Sequence, residues 1–119
     1  MRAVLALGAM ALSCLATGCK NDGCPPLAGP WKGFEKVSGF DVECCAKENT
    51  FAKHGHYIAY FHKTRKKAME GVYVDDVRTG LWHAWKKSGG YDLGACYDDK
   101  GVELWRESDE AKAKARACP

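Results

Sequence analysis

Seven cysteines and four histidines in a chain of 119 residues are the side chains best equipped for chemistry. The histidines are His54, His56, His62 and His83. Residues of equal parity share one face of a strand, so His54, His56 and His62 could line one side, with His83 on a neighbouring segment. A zinc site needs three or four nitrogen or sulfur ligands meeting in space. This spacing permits two neighbours and forces no third, and solvent-facing strand histidines are the commoner outcome. A cysteine hydrolase needs a thiolate beside a base, and no cysteine here sits in a strand-to-helix turn. The sequence holds no glycine-rich phosphate loop, no Ser-His-Asp signature and no HExxH. The expectation is no catalytic residue, no metal and no cofactor. The alternative is a small periplasmic metal-binding or hydrolytic protein using His54, His56, His83 and a thiol.

Two further sets could bind rather than react. Lys63, Arg65, Lys66 and Lys67 form a basic run beside Tyr60 and Phe61. Such a run attracts anionic headgroups or glycans, or is a solvated turn. The stretch RTGLWHAWKKSGG, residues 78–90, places Trp82 and Trp85 three apart between glycines. With Tyr57 and Tyr60 these rings could form an exposed platform for sugars or a partner; an aromatic stripe is more often core. A regular strand puts residues three apart on opposite faces, so Trp82 and Trp85 meet only across a bulge.

The chain positioning these groups allows one small domain. Met1-Arg2 starts it with one charge, and residues 3–16 carry none. That run is too short to span a bilayer, which takes about 20 apolar residues, and has the layout of a secretory signal. It ends in LATGC, Leu15 to Cys19, followed by polar KNDG. This resembles the lipobox of bacterial lipoproteins. Cys14 is followed by more apolar chain, so Cys19 is the matching cysteine. The resemblance implies a signal over residues 1–18, a lipid on Cys19 and a membrane anchor facing the periplasm or the cell surface. Lys20 after Cys19 favours the outer membrane by the same resemblance. Setting Arg2 aside, 17 of the 18 Lys and Arg remain against 15 Asp and Glu, a net charge near +2. That balance does not call for a nucleic-acid partner. It leaves the oligomeric state open.

With Cys14 and Cys19 assigned this way, Cys24, Cys44, Cys45, Cys96 and Cys118 remain on the oxidising side of the membrane. Five is odd, so at most two disulfides form within one chain and one thiol is left. Cys44 and Cys45 are adjacent and poorly placed to pair with each other. One of them is expected to reach Cys96 or Cys118.

Residues 19–38, rich in proline and glycine, read as a tether, and the ordered domain is expected over 39–119. From Ala52 onward short β-type segments alternate with turns. HGHYIAYFH (54–62) is followed by KTRK; the segment ending EGVYV meets Asp75-Asp76; LWHAWK meets KSGG; YDLGACY meets DDKG; VELWR follows. This predicts a mainly β antiparallel meander. The tail SDEAKAKARA predicts a short helix with Ser108 as N-cap and Cys118 near its end.

The meander repeats itself. His54-Gly55-x-Tyr57-x-x-Tyr60 lies over Thr79-Gly80-x-Trp82-x-x-Trp85, and Glu70-Gly71-Val72-Tyr73-Val74-Asp75-Asp76 over Leu93-Gly94-Ala95-Cys96-Tyr97-Asp98-Asp99. Over residues 52–106 this resembles the bacterial variant of MORN repeats. The resemblance implies stacked hairpins in a twisted sheet that serve as a scaffold or interaction surface. The candidate surface is then Trp82, Trp85, Tyr57, Tyr60, Lys63, Arg65, Lys66 and Lys67, facing a protein or envelope-glycan partner.

Overall fold

A computed structural model describes residues 23–119; Cys19 and the signal segment lie outside the described residues. Seven strands form one antiparallel sheet in simple chain order. They are β1 (Ala28–Glu35), β2 (Phe40–Lys47), β3 (Lys53–Phe61), β4 (Lys67–Val74), β5 (Val77–Trp85), β6 (Tyr91–Tyr97) and β7 (Glu103–Glu107), followed by α1 (Glu110–Ala115). The expected mainly β meander with a short terminal helix is the observed fold.

The turns explain the order. Asp75 and Asp76 both have positive φ, 49° and 67°, the backbone that a two-residue hairpin between right-twisted strands requires. The polar side chains make this tolerable. Asp76 Oδ1 accepts from the Lys53 amide at 2.7 Å, and Asp75 pairs with Lys47. Between β3 and β4 no glycine is available, and Arg65 takes the left-handed position at φ 61°. Its amide donates to the Phe61 carbonyl at 2.8 Å. In the DDKG turn Asp98 Oδ1 accepts from the Lys100 and Val102 amides, each at 2.9 Å, and Gly101 supplies the positive φ.

Two expectations need correction here. The sheet begins at Ala28, inside the stretch read as tether, and β1 pairs with the whole of β2 from Ala28↔Lys47 to Glu35↔Phe40. Pro30, Gly29 and Gly33 made that stretch read as irregular. An edge strand tolerates proline, because its amide side can face water. The helix N-cap is Asp109, whose Oδ1 accepts from the Lys112 amide at 3.0 Å, and not Ser108.

The sheet is one layer thick and builds its core on each face separately. On one face Val42, Cys44, Tyr57, Ala59 and Trp82 are buried, with Phe40, Phe61, Met69, Tyr73 and Tyr97 packed around them. Tyr57, Tyr73 and Trp82 tile one another with centroids 5.0–5.7 Å apart. Mutual ring coverage does the work of a missing second layer, at roughly 25 cal/mol per Å² removed from water. Gly71 makes room for it: a Cβ there would lie 2.1 Å from the Trp82 ring. The other face carries α1, which packs Ala113 on Cys96 and Trp105 beside Leu81 and Tyr91.

The disulfides are Cys24–Cys45 and Cys96–Cys118, and Cys44 is free and buried. The expected link from the Cys44–Cys45 pair to Cys96 or Cys118 is not formed. β2 lies four strands from β6, so the pairs close locally, one at each side of the sheet. Cys44 and Cys45 point to opposite faces, which leaves Cys45 to meet Cys24 and Cys44 to enter the aromatic core.

Candidate interaction surface

The eight residues expected to form one surface are divided by the sheet. Tyr57 and Trp82 are 4% and 3% exposed and belong to the core. The Trp82 indole N–H is spent on the Val72 and Thr79 carbonyls at 3.2 and 3.1 Å. Arg78 covers the ring, its guanidinium 4.7 Å from the centroid. Tyr60 and Trp85 lie on the opposite face and are half-buried. Trp85 packs against His83 and Tyr91. Strand alternation therefore separates Trp82 from Trp85.

The basic run is also divided. Arg65 donates to Asp41 Oδ2 at 2.9 Å, approaches Glu43 and stacks over Tyr60. Lys67 pairs with Glu70 at 3.2 Å and stacks over Trp85. These two cations lock rings to the sheet and present little free charge. Lys63 and Lys66 are exposed. The meander brings them company that the sequence alone did not reveal. In an antiparallel meander alternate turns share an end, so 36–39, 62–66 and 86–90 lie together. A shallow cleft of about 370 Å³ there is lined by Phe34, Phe40, Phe61, His62, Lys63 and Lys87, among others. Lys36, Lys63, Lys66, Lys86 and Lys87 project from these turns, and all five are exposed. The signal that could have found them is the hairpin topology: lysines in alternate turns add.

The histidines do not gather. His54 Nδ1 accepts from the Asp75 amide at 3.1 Å. His56 Nδ1 lies 3.4 Å from Cys45 Sγ, His62 pairs with Asp41 at 2.9 Å, and His83 meets the Tyr91 hydroxyl at 2.6 Å. Each ring has its own neighbour, and no two of them share one. Among the described residues no group of three or more His, Cys, Asp or Glu is arranged to hold a metal. Burial pushes the Cys44 thiol up, against the opposing pull of Lys53, so the sulfur stays protonated and weakly nucleophilic. It forms part of the wall of a second cleft of about 290 Å³ with Trp31, Glu35, Ala46, Phe51 and Lys53. Burial and the nearby Glu35 carboxylate also push the Tyr57 hydroxyl up.

No protein-family model, curated protein or solved structure matches this chain.

Proposed function

We propose that the protein is a cell-envelope lipoprotein, anchored through Cys19, that works without catalysis as a binding module. It offers the end of its sheet formed by turns 36–39, 62–66 and 86–90 to an anionic partner, an acidic protein segment or an envelope glycan. The LATGC stretch and the disulfides favour the envelope. The observation that carries the binding reading is the convergence of Lys36, Lys63, Lys66, Lys86 and Lys87 on one end. Two of the nearby acids are already engaged, Asp41 by His62 and Arg65 and Glu70 by Lys67, which leaves Asp92 as one exposed acid against five lysines. The free charge therefore faces water, and several such lysines raise the encounter rate with anions.

Two measurements test it. Mass spectrometry of the N-terminal peptide from bacterial membranes is expected to show acyl chains on Cys19; an unmodified cysteine there refutes the anchor. For the binding end, a photo-cross-linking residue is placed at Lys63 or at Leu104 on the far edge strand. Capture of envelope material at Lys63, lost when Lys66 and Lys87 become glutamate, is the expected result. Equal capture at both positions would refute the assignment of the end.

A further inference from the structure

The large exposed apolar side chains include a cluster at the opposite end of the first strands. Leu27 and Phe51 are 79% and 78% exposed. Both hold left-handed backbone, φ 68° and 62°, which bulky residues avoid at a cost on the order of 1 kcal/mol each. They are neighbours, because the Glu48 amide donates to the Leu27 carbonyl at 3.1 Å and the Phe51 amide to Lys47 at 2.8 Å. Trp31 completes the corner. Its ring lies over Gly33, where a Cβ would come within 2.8 Å, and Trp31 and Phe51 wall the same cleft.

The start of the described chain lies at this corner too. Cys24 is fastened to Cys45, and a turn from Pro25 to Ala28 sets Leu27 beside it. Only three residues lie between Cys19 and Gly23, four Cα steps that span at most about 14 Å. We infer that Leu27, Trp31 and Phe51 seat in the headgroup–acyl boundary of the bilayer that holds the chain, fixing the sheet upright on its anchor. The inference rests on the lipid at Cys19 proposed above. Tryptophan favours this boundary because its ring is apolar and its N–H is polar. Lys47 pairs with Asp75 and Lys53 with Glu35, and Glu48 adds one exposed acid beside Leu27, so no surplus positive charge stands at this corner. The contact is therefore apolar and does not need anionic lipid.

The test uses the full chain, processed in a bacterial host and reconstituted into phosphatidylcholine vesicles whose acyl chains carry bromine near the headgroup. Bromine is expected to quench tryptophan emission, and most of the quenching should vanish in Trp31→Phe, since Trp82 and Trp105 are buried and Trp85 is half-buried at the far end of β5, beside turn 86–90. Phenylalanine keeps a ring over Gly33, and near-UV dichroism checks that the fold is retained. Adding phosphatidylglycerol should change the quenching by less than about twofold, because an apolar contact does not follow surface charge. A several-fold rise with anionic lipid would overturn the inference. So would quenching that is absent, or unchanged in Trp31→Phe, with acylated protein on the vesicles; the anchor would then stand and the seating fail. A dimer in detergent that shields Trp31 assigns the corner to a second copy and also overturns it. Trp31-dependent quenching without an acyl mass supports the seating and removes the anchor. Neither acylation nor quenching removes both.

Discussion

Single residues decide how a one-layer sheet keeps two faces dry. Gly71 is the clearest case, because the Trp82 ring occupies the space of its missing side chain. Gly71→Ala should force the indole off Tyr57 and Tyr73 and cost roughly 1–3 kcal/mol. Urea unfolding followed by tryptophan emission measures this, and a loss below experimental error would mean that the ring can move freely. His83 makes a second case. Burial pushes its imidazole below 6.5, with Glu70 pulling up and Lys114 pulling down; Glu110 and Lys67 also face it, and Tyr91 is hydrogen-bonded to it. A depressed folded-state pKa means that the unfolded chain binds the proton first. Stability is therefore full above 6.5 and falls as pH drops below it. His83→Gln should flatten that part of the stability–pH profile, and parallel profiles for the two proteins would count against the burial argument. Three residues apart between glycines, Trp82 and Trp85 look in the sequence like parts of one platform. Alternation along β5 was enough to say that they face apart. Which ring is core depends on Gly71 in the neighbouring strand, and that no local pattern states.

At the scale of elements, the turns and the meander they imply were legible, and the disulfide pairings were not. Asp75-Asp76, KSGG and DDKG each carry residues that suit the backbone they adopt, so five of the strands could be read from what interrupts them. β1 escaped because its proline and glycines, unfavourable in a central strand, are acceptable on an edge. The disulfides escaped because five cysteines allow many pairings and only register chooses among them. Helix α1, at six residues, is far shorter than the about 12–15 that an isolated helix needs. It is held by Ala113 against the sheet, by the Trp105 indole donating to the Ala117 carbonyl at 2.9 Å, and by Cys118. Cys118→Ser opens a 22-residue loop, which in the chain-entropy account costs about 3 kcal/mol. Amides of residues 110–115 should then exchange with deuterium at close to unfolded rates while β3 and β4 remain protected. Retained protection in the helix would show that packing alone holds it.

For the whole molecule, the placement of the disulfides is a statement about where cooperativity comes from. One ties the entering chain to β2, and the other ties the leaving chain to β6. β3, β4 and β5 have neither, yet they hold Tyr57, Tyr73 and Trp82. In a meander each strand touches mainly its neighbours, so stability passes along the sheet as a series of interfaces and the end strands have one interface instead of two. The staples sit where that deficit falls. Under the membrane reading, the Cys24 staple also sets the Leu27–Phe51 corner against the anchor and turns the lysine end outward. Strands of eight or nine residues then hold that end about 30 Å away. Reduction should therefore act from the ends inward. With both disulfides reduced under native conditions, exchange should rise first in β1, β7 and α1, and only later in β3–β5. Trp82 emission should stay shielded from iodide after Trp105 has become accessible. If the two tryptophans become accessible together, the sheet unfolds as one unit, and the disulfides stabilise its centre as much as its ends.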